Sequence, residues 1–280
     1  MKLSVIIPVF NEAGHISECL DSLINQTCKD FEIIVVDDGS TDDTKKQIDI
    51  FIKKDKRISM LSQKHKGPGA ARNLAVKKAK GEILVFVDAD MTFKNDFLKE
   101  LTKPIIERRS KGTFTTEEMV ENWDNFISKM WNYETTKSVS RKRLPKNHQK
   151  KAKVFRAILK SEFDRVNGFD LVGYNDDWTL SEKLGYMSTA ADKAVMYHKN
   201  PDNFKKVFNQ SRWIGGRQYK FGELGRVMAL FRALFPIGLI VGVSRAITLK
   251  NVSYVQFKII YDFGIVVGIL KYWLGFGHAK

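Results

Sequence analysis

The sequence contains only two cysteines, Cys19 and Cys28, among its 280 residues. Cys19 occupies an apolar position of a helical pattern, so we expect a buried thiol rather than a disulfide, as in proteins of the reducing cytosol. The N-terminal residues MKLSVIIPVFNE have too short an apolar run for a signal peptide and are interpreted as a first strand. We therefore expect this part of the chain to be cytoplasmic.

Acidic residues are also few relative to basic ones. The chain has 47 Lys and Arg against 32 Asp and Glu, a formal net charge of +15. A charge of this size favours an anionic partner such as a nucleotide diphosphate, a nucleic acid or an acidic membrane surface. Aromatic residues do not alternate with the basic ones as stacking platforms would, which disfavours a non-enzymatic nucleic-acid binder.

Two common nucleotide-binding motifs are missing. The segment PVFNEAGH lacks the G-x-G-x-x-G that a Rossmann domain requires after its first strand, and KGPGAARN is not followed by the G-K-[ST] of a P-loop. A dinucleotide-binding domain is therefore disfavoured. The two Gly residues of KGPGAARN still precede a helix start, where free amides favour an anion, although a simple turn would account for them equally well.

Long uncharged runs are missing as well. Twelve uncharged residues separate Arg232 from Arg245, and the apolar run 259–276 is interrupted by Asp262 and Lys271. Neither reaches the roughly 18 residues typical of a membrane span. Since both runs have basic flanks, the sequence predicts interfacial or re-entrant helices, with helices that pack on the domain or on a second subunit as the alternative.

What the sequence does contain is a regular alternation of apolar runs and helical patterns. Strands are predicted at 3–9, 31–36, 58–61 and 83–87, and helices at about 13–26, 42–54 and 68–79. This order predicts an α/β fold with a mainly parallel, twisted sheet covered by helices on both faces. In such sheets, ligands bind outside the carboxyl ends of the strands.

The pattern changes after residue 90. Helices are predicted at about 95–109 and 117–137, the second opened by a Thr115/Glu118 capping box, and a further strand at 153–159. Between Thr135 and Lys153 there are eight Lys or Arg and no acid, which indicates either a solvated loop or a site for an acidic acceptor or lipid headgroup.

Polar clusters follow each of the four predicted N-terminal strands and should converge on one crevice. They are PVFNE at 8–12, DDGSTD at 37–42, KHKGPGAARN at 64–73 and DAD at 88–90. Asp88 and Asp90 suit Mn²⁺ or Mg²⁺, which take one or two carboxylates together with phosphate oxygens. The acids of DDGSTD could contact a nucleotide or only form a turn and a helix cap.

A second acidic pair, Asp176 and Asp177, lies about ninety residues further on. It could supply a general base, or only complement the dipole of a helix that starts there. His198 follows an apolar strand and could ligate the same metal, or be structural. DADMT also fits the D-x-D-x-T of dehalogenase-like phosphatases, but those place the motif on their first strand.

Taken in order, the motifs resemble the family 2 glycosyltransferases of GT-A fold over roughly residues 3 to 220. The matching segments are SVIIPVFNE, VVDDGSTD, GPGAARN, VFVDAD, NGFD, NDDW, YHKNPDNF and QSRW. The resemblance implies inverting transfer of a sugar from a UDP- or GDP-sugar with Mn²⁺ or Mg²⁺. The nucleotide-sugar contacts that it implies are Pro8, Phe10, Glu12, Asp37, Asp38, Gly67, Arg72 and Asp88.

The resemblance implies that Asp90 binds the metal, that Asp88 contacts ribose or metal, and that Asp177 is the base, with Asp176 as the other candidate. His198, from its position at a strand end, is a further candidate metal ligand. The family's usual acidic pair is Glu-Asp, so the choice between the two acids stays open. Processive members carry Gln-x-x-Arg-Trp, whereas Gln210 stands two residues before Arg212. We therefore do not expect processive polymerisation, and assign Arg212 and Trp213 only to the acceptor or diphosphate side.

These expectations divide the chain into a catalytic domain at 1–222 and a C-terminal helical, membrane-associated segment at 223–280. Within the first, 1–110 form the nucleotide-binding half and 111–222 the acceptor side. The expected partners are a nucleotide-sugar, a lipid-linked or polysaccharide acceptor, and the anionic cytosolic face of a membrane. No nucleic acid is expected, and a homodimer is left open.

Overall fold

The computed structural model describes residues 1–143, 150–171, 176–217, 219 and 221–275. It divides into two compact units, one formed by Met1–Met119 with Leu144–His198 and the other by Val120–Arg143 with Lys199–Lys280. These breaks do not coincide with the predicted boundary after residue 222, and the assignment of functional domains stays a prediction. The centre of the predicted basic run, at 144–149, and the end of the C-terminal segment lie outside the described residues.

The first unit contains the strands and most of the helices that alternate with them. In chain order they are β1 (Leu3–Val9), α1 (Ile16–Ile24), β2 (Phe31–Asp37), α2 (Thr44–Lys54), β3 (Ile58–Ser62), α3 (Pro68–Val76), β4 (Ile83–Phe86), β5 (Met91–Phe93), α4 (Phe97–Ile106), β6 (Gly112–Val120), β7 (Lys151–Ala152), β8 (Ala157–Leu159), α6 (Lys160–Arg165), α7 (Asp176–Leu184) and β9 (Ser188–His198).

Among the described residues, the strands form one sheet in the order β3-β2-β1-β4-β8-β6-β9-β5, with β7 beside β9. The first four strands pair in parallel, with Val5 opposite both Ile33 and Val85. Strand β8 runs antiparallel to β4, and β5 antiparallel to β9. The predicted parallel half is confirmed, and antiparallel strands extend it into a mixed sheet.

Both faces of the sheet are covered, which explains why its central strands are apolar without alternation. Val5 and Ile7 face one core together with side chains of α1, α2 and α4. Ile6 and Ile34 face a second core together with side chains of α3, α6 and α7. The helices predicted before residue 110 are confirmed, and each differs from its predicted bounds by a few residues at one or both ends.

The predicted helix at 117–137 is wrong in its first part. Residues Gly112–Val120 form strand β6, and the helix α5 covers only Phe126–Thr136. Its cap is Asn125, whose side chain accepts a hydrogen bond from Ser128 N at 3.0 Å. Thr115, assigned to a capping box, instead donates through its hydroxyl to the carbonyl of Ala194 in the sheet. The strand predicted at 153–159 is likewise shorter, since β8 covers Ala157–Leu159.

The second unit is helical. It contains α5, α8 (Phe204–Gly216), α9 (Gly222–Ala233), α10 (Ile237–Thr248) and α11 (Ser253–Trp273). Its core is built around Trp131, Val207, Tyr254 and Phe257. By length and composition alone α11 could cross a membrane, with a mean hydropathy of 1.4, and α9 and α10 form a pair bent by 67° that passes the same test together.

Gln26 ties together the elements beside the DAD turn. It is fully buried, donates through Nε2 to the carbonyls of Ser22 and Lys94, and accepts through Oε1 from Leu98 N. In Gln26→Leu the Leu98 amide and the Lys94 carbonyl would lose their buried partner, so we expect the free energy of unfolding to fall by about 1–3 kcal/mol.

Urea denaturation measures this change, and Asn25→Leu is the matched control. The Asn25 side chain makes its one described hydrogen bond to Asp21 O at an exposed position, so its loss should change stability by less than about 0.5 kcal/mol. Equal effects of the two substitutions would contradict the prediction.

Candidate active site

The loops after the parallel strands meet at one edge of the sheet, as the sequence predicts. Val9 at the end of β1 stands opposite Asp37 at the end of β2, and Asp38 N donates to Val9 O at 2.8 Å. Asn11 N donates to Ser40 Oγ, and Asn11 Oδ1 accepts from Thr41 N. The first two polar clusters are therefore one connected surface.

Pro8 and Phe10 border this surface. Pro8 pairs in register with Val36, beyond the last β1 residue that pairs with β4. The ring of Phe10 is partly exposed and stacks on His65, with centroids 4.0 Å apart. His65 was not identified from the sequence, since only the fold brings residues 10 and 65 together.

Asp37 and Asp38 are both buried and both hold their own loops. Asp37 accepts from Gly39 N and Ser40 N and pairs with Lys45 at 3.2 Å. Asp38 accepts from Gln63 Nε2 at 2.6 Å, from Lys66 N, and from Gly67 N at 2.8 Å. Their side chains shape the crevice, and direct nucleotide contacts by Asp37, Asp38 or the Gly67 amide stay a prediction.

Two glycines are required where helix α3 begins. Gly67 has φ of 91°, a left-handed conformation that side-chain-bearing residues rarely adopt. Gly69 N donates to Asp176 Oδ2 at 3.1 Å, and a Cβ on Gly69 would lie only 2.8 Å from the Asp176 carboxyl carbon. Asp176 is itself buried, and its hydrogen bond joins the start of α7 to the start of α3.

Arg72, in the second turn of α3, connects the two acidic motifs. Its guanidinium is only 5% exposed, donates through Nη2 to Asp88 Oδ1 at 2.8 Å and through Nη1 to Asp177 Oδ1. The DAD motif and the NDDW motif, distant in sequence, thus share one cation. Both of its carboxylate partners remain partly accessible, with 34% of the Asp88 side chain and 37% of the Asp177 side chain exposed.

Arg156 is a site residue that the sequence analysis missed. Its Nη1 donates to Asp88 Oδ2 at 3.0 Å, so both oxygens of Asp88 face a guanidinium. Burial alone would raise the pKa of Asp88, but the charges of Arg156 and Arg72 hold this pKa well below its usual range. Its position as a basic residue within the otherwise apolar end of KVFRAIL could have identified it from the sequence.

Asp90 and His198 come together because β5 pairs with β9, which sets Met91 opposite His198. Asp90 is half-exposed, and its Oδ2 lies 3.9 Å from His198 Nδ1. His198 Nε2 lies 3.2 Å from Glu118 Oε1, a second residue that the sequence did not identify. Across the described ranges no cluster of three or more His, Cys, Asp or Glu is arranged to hold a metal.

Glu12 is held among other carboxylates. Burial is the largest cause that raises its pKa to about 7, and the charges of Asp90, Asp42 and Asp88 add to it. Such a concentration of negative charge favours a cation at this edge of the sheet.

Arg212 and Trp213 belong to α8 in the helical unit. The Arg212 guanidinium lies 5.8 Å from the centre of the Phe208 ring, and Trp213 is partly exposed. Their assignment to the acceptor side stays a prediction.

Comparison with known proteins identifies the family of this architecture. The family model described as glycosyl transferase family 2 matches residues 4–166. An uncharacterized glycosyltransferase of Rickettsia felis is 40% identical over 126 residues, 45% of this chain and 21% of the relative. The poly(ribitol-phosphate) beta-glucosyltransferase of Bacillus spizizenii is 49% identical over 94 residues, 32% of this chain and 15% of the relative. The chain thus spans only a fraction of these relatives' lengths.

Solved structures share the fold at low identity. Residues 1–349 of S. aureus TarS in complex with UDP-GlcNAc superpose with a TM-score of 0.55 at 20% identity, covering 98% of this chain and 92% of the other. The mannosyltransferase PcManGT of Pyrobaculum calidifontis, in complex with GDP-Man and Mn²⁺, gives a TM-score of 0.61 at 18% identity and covers 98% and 87%. The mixed sheet, its helices and these neighbours confirm the predicted α/β fold of GT-A type for this chain.

The raised pKa of Glu12 predicts a pH dependence of stability. The stabilising contribution of protonated Glu12 is complete below its ordinary pKa near 4.5 and is lost as the pH rises through about 7. Because Gln does not ionise, the variant Glu12→Gln does not lose stability in this way as the pH rises. In the absence of divalent metal, its melting temperature should be higher than that of the wild type at about pH 8 and similar to it at about pH 4.5.

Thermal unfolding at the two pH values, with a chelator present, measures the effect. Glu18→Gln, at an exposed position of α1, is the control and should follow the wild type at both. A Glu12→Gln variant whose melting temperature shows the same pH dependence as the wild type would refute the electrostatic account.

Proposed function

The chain belongs to glycosyltransferase family 2, and from this membership we propose that it transfers a sugar from a nucleotide diphosphate-sugar, with inversion, to a hydroxyl or phosphate acceptor. The observation that carries the proposal is the sharing of Arg72 between Asp88 and Asp177 at the carboxyl edge of the sheet. Arg72 thereby links the DAD motif, proposed to face the donor, to Asp177, the acid proposed as the base.

The donor we propose is a UDP- or GDP-sugar. TarS binds UDP-GlcNAc and PcManGT binds GDP-Man, and both share this fold. Phe10 and His65 would border the base, and the loops held by Asp37 and Asp38 would enclose the nucleoside. Arg72 is the cation of α3 closest to where a diphosphate would meet the DAD turn, and guanidinium groups pair well with phosphate.

A divalent ion, Mn²⁺ or Mg²⁺, fits the donor set at Asp90. An accessible carboxylate beside an imidazole suits Mn²⁺. The acids that add to burial in raising the pKa of Glu12 also favour a cation here. Asp90 and His198 would hold the ion, while Asp88, with both oxygens facing arginines, would keep Arg72 and Arg156 in place. When bound, the metal would neutralise charge on the departing diphosphate.

Asp177 is our proposed base. Inverting transfer needs a carboxylate that takes the proton of the acceptor while its oxygen attacks the anomeric carbon from the face opposite the diphosphate. Asp177 is accessible, whereas Asp176 is buried against Gly69. We propose further that the donor diphosphate draws Arg72 away from Asp177, so that the base is released only when donor is present.

The acceptor and the location are proposed in outline. Relatives act on poly(ribitol-phosphate), which is consistent with a polysaccharide or lipid-linked acceptor. We propose that the chain works at the cytosolic face of a membrane through its C-terminal segment. The phosphatase alternative loses support because the motif's first acid, Asp88, faces two arginines and is poorly placed as a nucleophile.

A thermal-shift panel of UDP-, GDP- and dTDP-sugars with and without Mn²⁺ tests donor and metal together. We expect one nucleotide class to raise the melting temperature, and the rise to be larger with Mn²⁺. In Asp90→Ala the metal-dependent part of the shift should disappear. Absence of any responding nucleotide-sugar would contradict the proposed function, and an unchanged metal effect in the variant would contradict the role of Asp90.

Replacement of the proposed base should separate chemistry from binding. We expect Asp177→Asn to lower the rate of nucleotide release from the responding donor by about 10² to 10⁴ while UDP still binds. Asp170→Asn is the matched control, because Asp170 is a half-exposed acid paired with Lys183 on the surface. Turnover by Asp177→Asn equal to that of the control would show that another group is the base.

A further inference from the structure

Helices α9, α10 and α11 of the helical unit have an inverted distribution of side chains. In a protein surrounded by water, surface helices turn their apolar side inward and their charged side outward. Here several charged and small residues are inside and many large apolar side chains are outside, while α11 also buries Tyr254 and Phe257 in the core of the unit.

Helix α9 shows the inversion most clearly. Arg226 is only 2% exposed, pairs with Glu223, and places its guanidinium 3.5 Å from the centre of the Tyr272 ring. The exposed face carries apolar side chains at the spacing i, i+3, i+4 and i+7, and the apolar surface continues past the end of the helix. These exposed residues are Leu224, Val227, Met228, Phe231, Leu234 and Phe235.

Helix α11 repeats the arrangement. Lys258 and Asp262 are buried and pair with each other, while Ile259 and Phe263, each one position further on, are more than half exposed. Glu134 of α5 lies 4.0 Å from Lys258 and closes a buried set of charges.

Helix α10 has the same pattern with small residues inside. Gly238, Gly242 and Ala246 are its buried positions, and Arg245 turns inward to pair with Glu134. Its exposed apolar residues are Ile240, Val243 and Ile247.

This inversion is the pattern of helices that contact hydrocarbon. In lipid, polar and charged side chains face the bundle interior and pair with one another, small residues allow close helix packing, and apolar side chains face outward. In water the same outward faces would leave these large apolar side chains exposed together, as is typical of interaction sites.

The charges that remain exposed on these helices indicate which surface covers them. Over the described part of 222–275, Glu223 pairs with Arg226 and Asp262 with Lys258. Lys250, Lys271 and Arg232 are exposed and form no salt bridge among the described residues, although the charge of Arg232 also acts on the buried Asp262. In a dimer formed through these faces, the cations of the two copies would face each other and repel. An anionic lipid surface instead complements their charge.

We propose that the outward faces of α9, α10 and α11 dock in the plane of an anionic bilayer, inserting their apolar side chains among the acyl chains. This inference rests on the membrane location proposed above and adds the contacting faces and their orientation. It does not depend on the sugar-transfer chemistry.

The packing of α11 favours an in-plane position over a span. Helix α8 lies along α11 at backbone distance, and a Cβ on Gly264 would meet Phe208 O at 2.8 Å. The other side of α8 presents Lys205, Asn209 and Gln210 to water. Helix α11 is therefore covered on one side by α8, which faces water, and is apolar on its other side. This arrangement fits a helix at the boundary between water and lipid. Helices α9 and α10, of 12 residues each, are about 18 Å long, shorter than the roughly 30 Å hydrocarbon core.

Vesicle binding by the full chain tests the proposal. Phe231 and Phe235 are 64% and 80% exposed, so the double variant Phe231→Ser/Phe235→Ser should fold like the wild type, as its melting temperature will show. The matched control is Ile50→Ser/Ile106→Ser, which removes two half-exposed apolar side chains from the other unit. Flotation is measured with phosphatidylcholine vesicles and with phosphatidylcholine–phosphatidylglycerol vesicles, and UDP binding is measured on the same samples.

We expect the wild type and the control to float with the anionic vesicles, and the phenylalanine variant to bind them at least about tenfold more weakly. Vesicles without anionic lipid should bind the wild type less. Equal binding by variant and control, or no binding by the wild type, would overturn the proposal. So would a wild-type dimer in sedimentation that becomes a monomer in the variant, since a second copy would then cover the face.

The readouts separate the two proposals. Vesicle binding as expected with no nucleotide bound would leave the docking surface standing and count against the sugar-transfer function. Nucleotide binding without vesicle binding would support the sugar-transfer function and count against the docking surface.

Discussion

The buried charge of Arg72 constrains the whole candidate site. A guanidinium that is only 5% exposed cannot lose its proton, so carboxylates must stand close to it. Asp88 from the fourth strand and Asp177 from α7 provide them, and Arg156 in turn faces the second oxygen of Asp88. The side chains of Arg72 and Arg156 are 5% and 14% exposed, and each would be a buried charge without a partner if Asp88 were absent, so the site forms as a unit.

That unit depends on the sheet and on close backbone packing. Parallel pairing of β1, β2 and β4 brings the strand ends to one edge, and α3 starts there with a glycine that lets Asp176 approach. Asp176 fixes α7, and α7 carries Asp177 to Arg72. Asp88, proposed to face the donor, and Asp177, proposed to activate the acceptor, are thereby connected through Arg72. This connection gives a physical reason for the donor to bind before the base is free.

The sequence predicted the parts of the structure that depend on local pattern. The bounds of β1, the alternation up to α4 and the convergence of polar loops followed from periodicity and from the geometry of parallel sheets. The part of the helix predicted at 117–125 was wrong because a cap-like pair lay inside strand β6. Strands of two or three residues, such as β5 and β7, are too short to show a period. Arg156, His65 and Glu118 were missed because antiparallel pairing and loop contacts bring them to the site from distant positions.

In the proposed mechanism the donor diphosphate and Asp177 compete for Arg72. Calorimetry of UDP binding, in the presence of Mn²⁺, to the wild type and to Asp177→Asn tests it most directly. If the account holds, the variant binds UDP more tightly, because a neutral amide holds the Arg72 guanidinium less strongly than a carboxylate and leaves it free to meet the diphosphate. Equal or weaker binding of UDP by the variant would contradict the account.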